Sequence, residues 1–390
     1  MISKREKISL VKDTINFDDI KKLIGWLETN PRLTKGELTI ELEKLWSEWL
    51  DVKYSVYVNS GSSANLAAIY VLILSGRLKN NKIIVPAVSW VTTVSPAIQL
   101  GLEPILCDCN KDNLGLDIEN LKQIIKKEKP SSLILVHALG FSNDMDEIVK
   151  LCEENDIIII EDACESIGSM YDGKKLGSIG DMGSFSFYFG HHISTIEGGM
   201  ISTNDEELYH LLLSIRSHGW DRDLPEHKKR ELRAKYKVSD FRALYTFYYP
   251  GFNLRSTDLQ AFIGIHQMNK IDDIVKIRER NYQLYHKLID NNEWKISPRE
   301  NSFTSNFAYP IISDKLEDLV SELEINNIEC RPLICGSINQ QPFWYERFKN
   351  YKTPNADWLH NKGLYLPNNH EMTEEEVTFV CEIINKVLNK

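Results

Sequence analysis

Cysteine is scarce in this chain: seven in 390 residues, an odd number, with no C-x-x-C pair. The positions (107, 109, 152, 164, 330, 335 and 381) lack the spacing of a zinc site or a dithiol redox motif. Cys152 in KLCEEND and Cys381 in TFVCEII fall at apolar positions of helix-like segments, where burial accounts for them. Cys107 and Cys109 in CDC end a strand and could point the same way, but no further ligands lie nearby to complete a metal site. Long hydrophobic runs are also missing. The most apolar stretch, Leu66 to Leu74, falls well short of the roughly 20 residues needed to span a bilayer. The first residues, MISKREKISLVKDTINF, carry early positive charge with no uninterrupted apolar region behind it, which argues against a secretory signal. Positive charge is in deficit too, 46 Lys+Arg against 56 Asp+Glu for a net −10. That removes the dense cationic surface a nucleic-acid backbone requires, although a local pocket for a small phosphorylated ligand remains open. The expectation is a soluble cytoplasmic protein that partners neither nucleic acid nor membrane, with no repeat and no low-complexity segment.

What is present is an alternating pattern. From Tyr54 to Ser202, β-branched or apolar runs alternate with helical segments, the signal for βαβ units and an α/β fold with a mostly parallel sheet. The spacing predicts strands at 54–58, 82–86, 104–107, 132–137, 156–161, 184–189 and 199–202, with crossover helices over 63–75, 117–127 and 144–155. Runs such as IIII suit strands covered on both faces. Trp220–Asp240 is charge-rich without apolar periodicity and reads as a long surface excursion of the kind that often serves function. Apolar residues at helical spacing from Leu259 to Ile289 predict one long helix linking two domains. A strand at 307–312 and helices at 315–327 and 374–389 then supply a smaller C-terminal α/β domain. The division expected is 1–256, an arm and large domain, and 257–390, the linking helix and small domain.

Four motifs carry chemistry. VNSGSSANL follows a strand and opens a helix, so Gly61, Ser62 and Ser63 could cradle a phosphate with help from the helix dipole, or form an ordinary serine-rich cap. Glu161 and Asp162 close a very apolar strand, at the sheet edge where ligands bind in open α/β folds, and a carboxylate there can hold a protonated pyridine nitrogen. In GSFSFYFGHHISTIEGGM, adjacent side chains on an extended segment face opposite ways, so His191 and His192 make a poor chelating pair. One imidazole facing a site could serve as general acid or base; two hydrogen-bonded loop histidines are the plainer alternative. In YYPGFNLRSTDLQAFIG, Asn253 and Arg255 could project into a site, while Thr257 or Ser256 starts a helix.

Taken in order, these motifs resemble the sugar-aminotransferase family of fold-type I pyridoxal phosphate enzymes, which act on nucleotide-linked keto sugars, over roughly Leu33 to Lys390. The resemblance implies that Gly61, Ser62 and Ser186 contact the cofactor phosphate and that Asp162 partners the pyridinium. It puts Trp90 in a stacking position on the cofactor ring and Glu165 where these enzymes usually place a glutamine near the phenolic oxygen. Asn253 matches a residue that reaches the cofactor phosphate of a neighbouring subunit, which implies a homodimer with shared sites.

One departure matters most. The family's aminotransferases read S-F-x-x-x-K, the lysine joining the cofactor covalently, whereas here Ser186-Phe187-Tyr188-Phe189-Gly190 is followed by His191. Lys174 and Lys175 lie upstream in YDGKKLG, and no lysine follows before the EGG turn. That substitution marks the family's 3-dehydratases. One kind needs an iron–sulfur cluster on cysteines between the histidine and the long helix, and no cysteine occurs between Cys164 and Cys330. The resemblance therefore implies the cluster-free kind. It would alternate between pyridoxal 5′-phosphate and pyridoxamine 5′-phosphate without a metal, and take its amino group from L-glutamate. It would remove the C3 hydroxyl of a nucleotide-linked 4-keto sugar for surface-polysaccharide biosynthesis, with His191 moving the proton. Arg255 would pair with glutamate's carboxylate or lie in a surface salt bridge. The competing readings are a nucleotide-sugar aminotransferase and a non-catalytic sugar-nucleotide-binding homologue.

Overall fold

The computed structural model describes residues 6–290, 294–297, 299–334, 336–348 and 351–390. Short apolar segments build a seven-stranded sheet in the order Tyr54–Val58, Gly199–Thr203, Met182–Ser186, Ile158–Asp162, Ser132–Val136, Lys82–Pro86, Glu103–Cys107. Gly199–Thr203 runs antiparallel to both neighbours; the other pairings are parallel. Helices cover both faces. Ile83, Val85, Ile134 and Ile160 fall in one apolar cluster, while Ile84, Leu133, Leu135 and Ile159 fall in another, as alternation along a doubly covered strand requires. Cys107 and Cys109 divide between those same two clusters, so they do not share a face.

Local chemistry sets the helix ends. The Ser60 hydroxyl accepts from Ser63 N–H to start Gly61–Ser75, and Gly76 closes that helix in the left-handed region at φ 70°. Asp117, Asp205 and Thr257 cap three more helices in the same way. The strands appear close to where the sequence predicts them, with one consequential shift. The strand expected over 184–189 runs from Met182 to Ser186, so the histidines lie beyond it in a bend and not on extended chain.

Two further expectations are corrected. The long helix expected over 259–289 is two, Asp258–Met268 and Ile271–Leu288, broken at Asn269–Lys270, where the Lys270 ammonium turns aside to Asp19 and the Thr14 carbonyl. The Trp220–Asp240 excursion is not aperiodic loop. It holds the helix Glu226–Tyr236, none of whose residues is buried, so the segment shows no apolar stripe. Lys228–Glu231 and Lys229–Glu226 pairs brace it, Arg233 bonds to Asp221 and Asp240, and Leu232 packs against the core.

The remaining chain makes a three-stranded antiparallel sheet from Tyr309–Ile312, Gly363–Leu366 and Arg331–Pro332, packed with Leu316–Ile325 and Glu374–Leu388. The N-terminal arm reaches this region, with Ile8 bridging Ile328. Asp258 accepts from the N–H groups of Gly36 and Thr39 and from the Thr39 hydroxyl, which locks the helix Glu37–Leu50 against Asp258–Met268. No described helix is long and apolar enough to cross a membrane.

Candidate active site

A cavity of about 430 Å³ opens where the C-terminal ends of five strands converge. Four turns deliver its main residues: Gly61 and Ser62 after Val58, Trp90 after Pro86, Asp162 with Cys164 and Glu165, and Ser186 with Tyr188 and His191. Phe307, Ile334 and Tyr365 close it from the far part of the chain, and Val11 from the arm.

Asp162 forms the floor. Only 3% exposed, its Oδ2 accepts from Asn65 Nδ2 at 2.7 Å and Thr93 Oγ1 at 2.8 Å, and its Oδ1 from Cys164 N–H at 3.1 Å. Ser184 Oγ in turn donates to Asn65 Oδ1, which fixes the amide's orientation. Neighbouring Glu161 points the opposite way. Burial alone would raise its pKa, but His137 at 2.9 Å and the N–H groups of Gly180 and Gly177 overcome this and hold it low. It serves as an anchor for the 177–180 turn.

At the rim, Gly61 and Ser62 begin a helix whose amide dipoles point into the cavity mouth. A Cβ at Gly61 would come within 2.6 Å of Ser186 Cβ and 3.0 Å of Cys164 Sγ, so only glycine lets the two loops approach. Trp90, the N-cap of Val91–Gln99, remains 54% exposed and presents an aromatic face. A buried carboxylate lining the cavity, a helix start with free amides and an aromatic wall fit pyridoxal phosphate.

His191 and His192 take different roles for a reason other than strand alternation. The His191 N–H donates to the Tyr188 carbonyl in a tight turn. This sets the imidazole in the cavity, with its ring centroid 5.4 Å from that of Phe307. Its Nδ1 is buried without a hydrogen-bond partner. Burial lowers its pKa to about 4, the Asp162 charge opposing and Arg278 assisting, so the ring is neutral at neutral pH and available as a base. His192 is fully buried and bonds Ser305 through Nε2 at 3.0 Å, a structural tie.

Ser63 and Arg255 lie away from the cavity of their own chain, and so does Asn253, which was expected to reach the site of a neighbouring subunit. Ser63 does not line the cavity; its hydroxyl donates to Asn59 Oδ1 at 2.6 Å and its N–H is spent on Ser60, so it completes a cap and not a cradle. Asn253 is exposed and outside the cavity of its own chain, bridging Ser217. Arg255 lines a separate pocket of about 250 Å³ with Arg32, Lys35, Trp220 and Arg222, so it does not face the cavity of its own chain. Asn65 and Thr93 were missed by sequence reasoning. A signal existed for Asn65: it is a lone amide at the head of an apolar helix, four residues after Gly61 and so on the same face.

Glu165 gives a pH-dependent expectation. Burial pushes its carboxyl up to about 7, against the Leu139 N–H that donates to Oε2 at 2.9 Å and with the Asp162 charge adding to the rise. A folded pKa above the ordinary 4.5 means that its stability contribution is complete below pH 4.5 and lost as pH rises through about 7. Glu165→Gln, which mimics the neutral form, is expected to match wild type in Tm at pH 4.5 and exceed it above pH 7. Calorimetry of the cofactor-free protein across that range checks this. A Tm difference that stays flat would remove the protonated carboxyl.

A model of the DegT/DnrJ/EryC1/StrS aminotransferase family matches residues 14–385. The chain is 36% identical over 367 residues to the GDP-4-keto-6-deoxy-D-mannose 3-dehydratase of Yersinia pseudotuberculosis, covering 90% of this chain and 92% of that protein. Against the enzyme of that name from Escherichia coli it is 33% identical over 380 residues, covering 94% and 97%. A crystal structure of GDP-4-keto-6-deoxymannose-3-dehydratase with a trapped PLP-glutamate geminal diamine matches with a TM-score of 0.88 at 34% identity, over 97% of this chain and all of that one. The architecture is that of the fold-type I aminotransferases.

Proposed function

We propose, from the premise that this chain belongs to the DegT/DnrJ/EryC1/StrS aminotransferase family, that it is a 3-dehydratase and not an aminotransferase. Its substrate is a nucleotide-linked 4-keto-6-deoxyhexose, with GDP-4-keto-6-deoxy-D-mannose chosen on the likeness to the two named dehydratases. L-Glutamate supplies the amino group, and the products are 2-oxoglutarate, ammonia and the 4-keto-3,6-dideoxy sugar. One observation carries the reading: no lysine lines the cavity among the described residues, and a neutral His191 occupies the position where a lysine would act. Lys175, the nearest upstream, donates to the Trp49 carbonyl.

Pyridoxal phosphate, when bound, supplies an electron sink and, in its amine form, the nitrogen that joins the sugar's ketone. Gly61, Ser62 and Ser186 would hold its phosphate, Trp90 would lie against its ring and Asp162 would keep its ring nitrogen protonated. His191 accepts a proton at an imidazole nitrogen and returns it to the departing C3 oxygen. Having no amine, it cannot displace the sugar by forming its own carbonyl adduct. Asn253 and Arg255, outside the cavity of their own chain, act across a homodimer interface. The test is incubation with that sugar nucleotide, pyridoxal phosphate and glutamate. Formation of 2-oxoglutarate and ammonia with loss of the C3 oxygen is expected; a 4-amino sugar accumulating without ammonia overturns the assignment.

A further inference from the structure

Away from the cavity, Glu206, His210 and His227 bring one ligand atom each within 4.8 Å of one another. Glu206 and His210 are four residues apart on the helix Glu206–Arg216, and so share a face. His227 comes from the charge-rich helix Glu226–Tyr236, its ring centroid 5.9 Å from that of His210. His210 is 7% exposed, and its Nδ1 is buried with no hydrogen-bond partner. A buried imidazole nitrogen without a protein partner is free to take one further bond. The nearby Lys228 ammonium is paired with Glu231 at 2.9 Å, which blunts its repulsion of a cation.

We propose that these three side chains bind a divalent cation of the zinc class, pinning the Glu226–Tyr236 helix to the body of the protein. Two imidazoles and one carboxylate form the donor set of a three-ligand zinc site with water in the fourth position, and nitrogen donors disfavour magnesium and calcium. Ligand bonds of about 2.0–2.2 Å require the donors to draw closer than 4.8 Å. Glu206 and His227 are exposed, and among the described residues neither is held in an ion pair, so both can move. The helix gains most from such a cross-link because none of its residues is buried.

Tag-free holoenzyme, freed of metal by a chelator, would be titrated with zinc sulfate in a calorimeter alongside His227→Ala and Glu206→Gln. Both substitutions are at exposed positions, and unchanged turnover is their folding control. Wild type is expected to bind one zinc ion per chain, and each variant to bind it at least roughly tenfold more weakly. Zinc should also slow tryptic cleavage within residues 228–235 in wild type alone, and magnesium should have no effect. Absence of zinc binding by wild type, equal isotherms in all three proteins, or cleavage indifferent to zinc would overturn the proposal.

Discussion

His191→Asn is expected to lower turnover by about 10²–10⁴-fold, the usual worth of a positioned general base, while pyridoxal phosphate binds as before. Asparagine is short, neutral and polar, so it fits a buried position where the wild-type ring is itself uncharged. Gly61, Ser62, Ser186, Trp90 and Asp162, the cavity-lining residues proposed to hold the cofactor, are left unchanged. What disappears is the imidazole nitrogen proposed to accept and return a proton. Absorbance titration with pyridoxal phosphate separates binding from turnover, and wild-type turnover in the variant would take the base role away from His191. The wild-type pH profile adds a second check. With the imidazole pKa lowered to about 4, the base form persists as pH falls well past the ordinary 6.5, so no loss of kcat/KM centred near 6.5 should be traceable to this residue.

Asp162→Asn is expected to be nearly as severe and to act on both activity and stability. The carboxylate accepts from Asn65, Thr93 and Cys164 at once. An asparagine amide offers one acceptor and turns an NH₂ group toward donors, leaving at least one buried group unpaired at a cost of about 1–3 kcal/mol. In the proposed reaction it also removes the negative charge that would face the cofactor's ring nitrogen, and loss of a preorganised electrostatic partner costs about 10²–10³-fold in rate. Turnover measured well below the variant's Tm isolates the chemical effect from unfolding. A variant with reduced Tm but unchanged turnover would confine Asp162 to a structural part.

The sequence made Asp162 legible because an acidic residue at the end of an apolar parallel strand has one plausible destination, the ligand edge of the sheet. Position on the strand left Glu161 and Asp162 equivalent, the family resemblance singled out Asp162, and strand alternation turned Glu161 to His137 and Asp162 to the cavity. It could not reveal Phe307, Ile334, Tyr365 or Val11 as cavity walls, since nothing local marks a side chain that meets its neighbours only after the chain has folded back. Ser63 looked like a phosphate ligand because composition does not say which serine of GSS spends its hydroxyl on the cap. The Glu226–Tyr236 helix was invisible to periodicity because periodicity reports burial, and that helix has no fully buried residue and packs only Leu232 against the apolar core.

By itself, the sequence determined the α/β alternation, the absence of a lysine after Ser186 and the absence of cysteines between Cys164 and Cys330. These are properties of covalent order and short-range periodicity, and they need no partner to be read. Only the tertiary structure decided which of two adjacent histidines faces the cavity, that this imidazole is uncharged, and that Arg255 belongs to a different pocket. Orientation, desolvation and proximity come from packing, which joins residues hundreds of positions apart.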